Sequence, residues 1–215
     1  MAVIINFENL RINYEGEKLP TINLIVNEGE IVGIESVRDL YDRALNDFFA
    51  CDNFEFEGSA KIFDINLSEV DEISIKQIRE KISILTLAYP LISNLKLIEN
   101  VYLPHLFYSN ESEKKIFAKA YKILEDLGIE NKFNLNPAFL TNFEKKLALL
   151  GRTFMNNYKI IVLSKFFSDL DESKKKFLVD KIFEQKKLND TIAIIIIEKN
   201  PNLLPMINFD KIIKV

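Results

Sequence analysis

Three segments with unbroken apolar centres constrain this chain more than any other feature: "IVGIE" from Ile31, "KIIVLS" from Lys159 and "TIAIIIIE" from Thr191. Runs of this length are strands, and strands without alternation are buried on both faces. Segments with helical periodicity lie between them, as in "ISIKQIREK" before "ISILTL" and "DESKKKFLVDKIFEQKK" before "TIAIIIIE". Strand–helix alternation with such strands predicts a mainly parallel sheet covered by helices. "DKIIKV" reads as a last strand.

Additions to that sheet stand at the N-terminus and in the middle. "VIINFENLRINY" alternates as two short strands, "TINLIVNEGE" holds a third, and "AKIFDIN" is a further short one. From about Ser93 to Leu140 the pattern is mostly helical. "ESEKKIFAKAYKILEDLGI" is the clearest helix there, closed by Gly128, and "FEKKLALLGRTFMNN" is another. The expected division is a core of approximately residues 1–87 and 145–215 with a helical subdomain of approximately 88–144. At 215 residues, almost half of them apolar, one domain with a subdomain is in range.

Composition removes several classes. A net charge of −4 with acids and bases interspersed argues against a nucleic-acid binder. The single histidine, His105, excludes zinc sites that need two and is expected in a loop after Pro104. The single cysteine, Cys51, forms no intrachain disulfide and is expected in the core. The longest apolar run is far short of the ~20 residues that span a bilayer, and "MAVIINFENLRI" lacks the pattern of a signal peptide. A soluble chain without direct membrane insertion is expected.

After "IVGIE" an apolar face runs through Val37, Leu40, Tyr41, Ala44, Leu45, Phe48 and Phe49. This predicts a helix from Val37, with Ser36 as N-cap and Asp39 as a capping-box partner. The strand-to-helix turn is where a phosphate loop is sought, yet after Gly33 there is no glycine until Gly58 and no lysine until Lys61.

The ordered set "VNEGEIVGI", "LISNLKLIENVYLP", "LALLGRTFMNNYKIIVL" and "SDLD" resembles the nucleotide-binding subunit of ATP-binding cassette (ABC) transporters, from about Ile4 to Val215. The resemblance implies an α/β fold like that of P-loop NTPases: a mainly parallel sheet flanked by helices, an N-terminal antiparallel β subdomain and a helical subdomain. It also implies a phosphate loop over Glu35 to Arg43. Such a loop needs glycines, so that backbone N–H groups converge on phosphate, and a lysine to neutralise charge. Here there is no glycine, and Asp42 stands at the lysine position. Leu87 stands near the place of the magnesium-reaching glutamine. Ser164 and Lys165 replace the metal-holding acid and the water-activating acid. The signature glycines become Asn142 and Phe143, with Thr141 and Glu144 spaced as a capping box. Ile197 or Glu198 takes the place of the switch histidine. Phe166 and Phe167 are expected in the core.

Together these replacements describe a degenerate cassette that is not expected to hydrolyse ATP. No catalytic residue, metal ligand or cofactor is expected, and ATP with magnesium enters only if the altered site still works. The vestigial nucleotide site comprises Tyr14, in the place of the adenine-stacking aromatic, with Arg38 and Arg43. Partners implied by the resemblance are a membrane permease, another cassette subunit, or a second copy in a homodimer. Tyr89, Leu91, Ile92 and Leu95 are the candidate permease-groove residues, and the expected location is cytoplasmic, on the inner face of the membrane through the permease. Two other readings remain open: a cytosolic scaffold or regulator derived from a cassette, and an ATPase with an unorthodox site.

Overall fold

The computed structural model of the chain describes residues 2–201 and 204–215. The fold is α/β, with one antiparallel and one parallel sheet. The antiparallel sheet is built on β1 (Val3–Tyr14), which pairs with β2 (Glu17–Lys18), β3 (Ile22–Asn27) and β5 (Phe56–Ile62); β6 (Ile65–Asn66) extends it beyond β5. The alternating stretch from Val3 is thus one 12-residue strand rather than two short ones. Its interruption is a bulge: the register with β3 and β5 shifts around Asn9, whose φ is +50°. The sequence loses its alternation there because one extra residue turns the next side chains to the other face. Gly58 lies opposite, with φ +91°, and a Cβ there would sit 2.3 Å from the Asn9 carbonyl oxygen. Only glycine fits that close approach.

The parallel sheet has the order β10 (Lys211–Lys214), β4 (Ile31–Glu35), β9 (Ala193–Glu198), β8 (Ile160–Ser164) and β7 (Ile82–Leu85). Every residue of β8 is buried, as the absence of alternation predicted. Between strands lie α1 (Asp39–Phe49) and α2 (Glu72–Arg79). Both pack on β7, and α1 also packs on β1. One hydrophobic core runs through both sheets and α1, with Phe7, Phe48 and Phe49 fully buried within it.

The helical part contains α3 (Leu97–Tyr108), α4 (Glu113–Asp126) and α5 (Asn142–Phe154), packed on one another. α6 (Glu172–Leu188) follows β8. The chain divides into two compact units: Met1–Thr86, Tyr158–Lys165 and Lys186–Val215 in one, Leu87–Asn157 and Phe166–Gln185 in the other. The helical unit therefore includes α5 and most of α6, because α5 shares its apolar face with α3 and α4. The sequence reading had placed residues 145–215 with the core.

Pro104 and His105 lie inside α3, not in a loop. The stretch around them is apolar enough to keep the helix going, and His105 Nδ1 is 2.9 Å from Asn156 Oδ1. Gly128 follows α4 at φ +71°, the left-handed position at which helices end. Phe166 and Phe167 are buried and meet edge to face at 5.9 Å. Cys51 is buried, and that burial pushes its thiol up to about 11, so it stays protonated near neutral pH.

Candidate functional site

The strand ends of the parallel sheet build the place where a phosphate loop was sought. Ser36 N–H donates to the Glu198 carbonyl at 3.0 Å, and Lys165 N–H donates to the Ile197 carbonyl at 2.9 Å. These bonds tie the turns after β4 and β8 to the end of β9. α1 begins at Asp39, two residues later than the apolar pattern suggested. Arg38, in an extended conformation, holds the cap position, and no side chain caps it. Ser36 is not the cap; it is buried, with its hydroxyl near the Arg38 carbonyl at 3.5 Å. Val37 is 61 % exposed and stands outside the helical face that the spacing assigned to it. Helical spacing also fits the residues of a short extended lead-in, so periodicity alone placed the start too early.

Asp42 is buried on the inward face of α1, and its Oδ2 lies 2.6 Å from Lys165 Nζ. The same ammonium pairs with Asp39. Lys165 holds this position from a left-handed backbone, φ +49°. Burial pushes the Lys165 ammonium toward deprotonation, but the carboxylates of Asp39 and Asp42 outweigh it and raise its pKa. Lys165 in turn holds the Asp39 carboxyl below the usual carboxylate range. One helical turn on, Asn46 Nδ2 donates to the buried Ser164 hydroxyl at 3.0 Å. Positions 42 and 165 thus carry a cation–anion pair with the signs opposite to those the resemblance leads one to expect.

Tyr14 reaches α1 from β1, while Arg38 holds the cap position of that helix and Arg43 lies in it, and all three are engaged. Tyr14 closes β1 beside a two-residue turn at Glu15 and Gly16, both with positive φ, as a tight hairpin requires. Its hydroxyl donates to Asp47 Oδ2 at 2.5 Å, and this bond pushes the phenol up to about 12. Arg43 pairs with Glu15 at 3.1 Å. Arg38 pairs with Glu17 at 2.8 Å and covers the Tyr41 ring, 4.7 Å from its centroid. Exposed pairs of this kind add little to stability. Their consequence is electrostatic: each guanidinium already has a carboxylate.

In the helical unit, the turn before α5 occupies the signature position. Thr141 Oγ1 accepts from Glu144 N–H at 3.3 Å, and Thr141 N–H donates to Glu144 Oε2 at 2.8 Å. This is the capping box that the spacing predicted. The other Glu144 oxygen pairs with Lys132 at 2.5 Å. Burial would raise the Glu144 pKa, but Lys132 and the Thr141 donors bring it below its ordinary value. Phe143 packs edge to face on Phe177 at 6.3 Å, with the Lys174 ammonium 5.9 Å from its ring centre.

The candidate groove residues divide by exposure. Ile92 is 43 % exposed, while Tyr89 and Leu95 are half-buried. Leu91 is buried, so it belongs to the local core and offers no contact surface. Sequence reasoning missed Asn100, which shapes this segment. Its buried amide accepts from Ile92 N–H at 2.7 Å and donates to the carbonyls of Ile92, Leu95 and Lys96. A polar residue within the apolar stretch "LIENVYL" was the available signal, since a buried amide needs partners. The reciprocity of Asp42 and Lys165 was missed too, although both replacements were visible.

Among the described residues, no three His, Cys, Asp or Glu side chains are placed to hold a metal, and no helix is long and apolar enough to cross a membrane.

No protein-family model matches the chain. Curated relatives do. The methionine import ATP-binding protein MetN 1 of Oceanobacillus iheyensis is 26 % identical over 202 residues, covering 90 % of this chain and 58 % of that protein. The phosphonates import ATP-binding protein PhnC of Fusobacterium nucleatum is 26 % identical over 209 residues, covering 91 % and 82 %. The lipoprotein-releasing system ATP-binding protein LolD of Buchnera aphidicola is 27 % identical over 158 residues, covering 70 % and 69 %. The chain therefore spans little more than half the length of the methionine-import relatives. Among solved structures, the dimeric ABC transporter cassette MJ0796 superposes with a TM-score of 0.85 at 22 % identity, over 99 % of this chain and 94 % of that one. CbiO1 of Clostridium perfringens gives 0.78 at 20 % identity, over 96 % and 82 %. Relatives of this kind align along most of the chain, the cassette landmarks stand in their order, and the fold is that of the ABC transporter cassettes.

Proposed function

We propose that this chain is a non-hydrolysing cassette subunit of a membrane transport or envelope complex, working by docking to a permease or to another cassette chain. The observation that carries the reading is the Lys165 ammonium on Asp42 and Asp39. Phosphoryl transfer from ATP needs a lysine on the phosphates, a metal-holding acid and a group that positions water. At those positions stand a buried carboxylate, a serine and a protonated lysine. A triphosphate entering here meets Asp39 and Asp42, and the nearest cation is already spent on them. The signature turn also favours this reading, because its capping box takes up an N–H group at the start of α5 that an anion would otherwise use. No nucleotide or metal cofactor is required by this account.

The relatives' names support the transport setting: import, lipoprotein release and, in one relative, a joined ATP-binding/permease protein. Docking then falls to the exposed part of the Tyr89–Leu95 segment, which Asn100 holds in shape. The subunit works on the cytoplasmic side, at the membrane through its permease. The test is recovery of the tagged chain from its native cells. It is expected in the membrane fraction with one polytopic protein, and Ile92→Asp is expected to cut that recovery about tenfold, the loss of a central apolar contact. Recovery in the soluble fraction alone, or recovery indifferent to Ile92→Asp, contradicts the docking account.

A further inference from the structure

We propose that Lys165, seated on Asp42 and Asp39, is an internal latch that fixes the turn between β4 and α1 without any ligand. This rests on the reading above that the site holds no nucleotide. Four observations converge on it. Asp42 is buried, and among the described residues Lys165 is the cation paired with it. Lys165 adopts a left-handed backbone that a non-glycine residue enters only when its surroundings hold it there. Asn46 lies one turn beyond Asp42 on the same face of α1, and its bond to Ser164 ties that face to the end of β8 a second time. The backbone bonds of Ser36 and Lys165 to Glu198 and Ile197 complete the closure.

The two ends of the latch are the two positions whose charges are inverted relative to the family resemblance. Either inversion alone leaves like charges together: a lysine facing a lysine, or a carboxylate facing carboxylates. Both together restore a neutral pair inside the chain. The turn that an anionic ligand would otherwise order is ordered by the protein's own side chains, so the subunit presents one conformation whatever the nucleotide concentration.

The test is a double-mutant cycle in the full chain: Asp42→Asn, Lys165→Met, the two together, and the exchange Asp42→Lys with Lys165→Asp. Urea denaturation gives the folding equilibrium, and hydrogen exchange reports the amides of residues 36–42. Each single variant is expected to lose roughly tenfold or more in the folding constant, because it strands a partly buried charge or its partner. The neutral double is expected to lose less than the product of the singles, with a coupling of roughly tenfold. The exchange is expected to recover most of the loss and to slow exchange at 36–42 again. Singles within about twofold of the parent, or losses that simply multiply, overturn the latch. If the singles fail to fold, the neutral double decides: it folds if the charges were a pair, and its failure overturns the proposal. Magnesium-ATP titration of the parent chain is read separately. Saturable heat there overturns the reading that the site holds no nucleotide, whereas a missing coupling overturns the latch.

Discussion

Lys165→Glu is expected to destabilise the chain by about 3 kcal/mol and to give no ATP hydrolysis. The substitution looks like a repair, since it returns a carboxylate to the position of the water-activating acid. In this chain it instead removes the cation shared by Asp39 and Asp42 and places a third carboxylate beside them. Asp42 then keeps a buried negative charge with nothing opposite. Breaking a buried pair by removing one partner costs about 3–5 kcal/mol. The lower end applies because Lys165 is partly exposed and Asp39 is almost wholly so.

The pH dependence distinguishes this cause from loss of packing. In the parent chain the Lys165 pKa is raised, so its contribution is present below the unfolded-state value and disappears as pH rises through the folded-state value. The Asp39 pKa is depressed, so its contribution is present above the unfolded-state value and disappears as pH falls through the folded-state value. The pair therefore stabilises the fold across the range between the carboxylate and lysine titrations. In the variant, the carboxylate introduced at position 165 repels its acidic neighbours, and that repulsion shrinks as acid neutralises the new side chain. Urea denaturation at pH 7 and at pH 5 should show the gap to the parent narrowing. A variant as stable as the parent, or one that releases phosphate from ATP, contradicts the account.

Phe48→Ala is expected to cost about 3–5 kcal/mol. The ring is fully buried and meets Phe7 at 5.6 Å and Phe56 at 5.5 Å, both edge to face. With Phe49, which also meets Phe7, it anchors α1 on the antiparallel sheet. Truncation leaves a cavity bounded by strands that cannot close in on it, so the transfer loss and the cavity loss add. For a chain of this size each kcal/mol moves the melting temperature by about 2–4 °C, so a fall of roughly 10 °C is expected by calorimetry. Val37→Ala, at the other end of the same predicted face but exposed, should stay within about 0.5 kcal/mol of the parent. If the two variants melt alike, the placement of α1 on β1 is wrong.

The contrast between Phe48 and Val37 shows what the sequence made legible. Both lay on one predicted apolar face. Burial across the body of a helix follows from periodicity, because the 3.6-residue repeat fixes which side faces the core. The first residues escape it, because the start depends on where the backbone leaves the strand. Here bonds from Ser36 and Lys165 to the end of β9 set that point. The parallel strands were legible for a similar reason: unbroken apolar runs have only one environment that suits them. The long β1 strand was split in the reading because its bulge at Asn9 reverses the alternation, and only the neighbouring strands reveal that it continues.

At the candidate site, the sequence made absences legible and left pairings hidden. No glycine in the loop and Lys165 after Ser164 can be read directly. That Asp42 and Lys165 meet cannot, because 123 residues separate them and only the parallel order of β4, β9 and β8 brings them together. Asn100 and Leu91 illustrate the same limit in the helical unit. One is a buried amide serving the backbone of Ile92, Leu95 and Lys96; the other is a core leucine in a stretch that reads as surface. Exposure within a loop carries no periodic signal.

The central claim is that this chain has no place for a triphosphate. Isothermal titration of the purified full-length chain with magnesium-ATP tests it most directly. The account predicts no saturable heat up to millimolar nucleotide, which corresponds to binding weaker than about −4 kcal/mol. A saturable isotherm with a micromolar dissociation constant contradicts it.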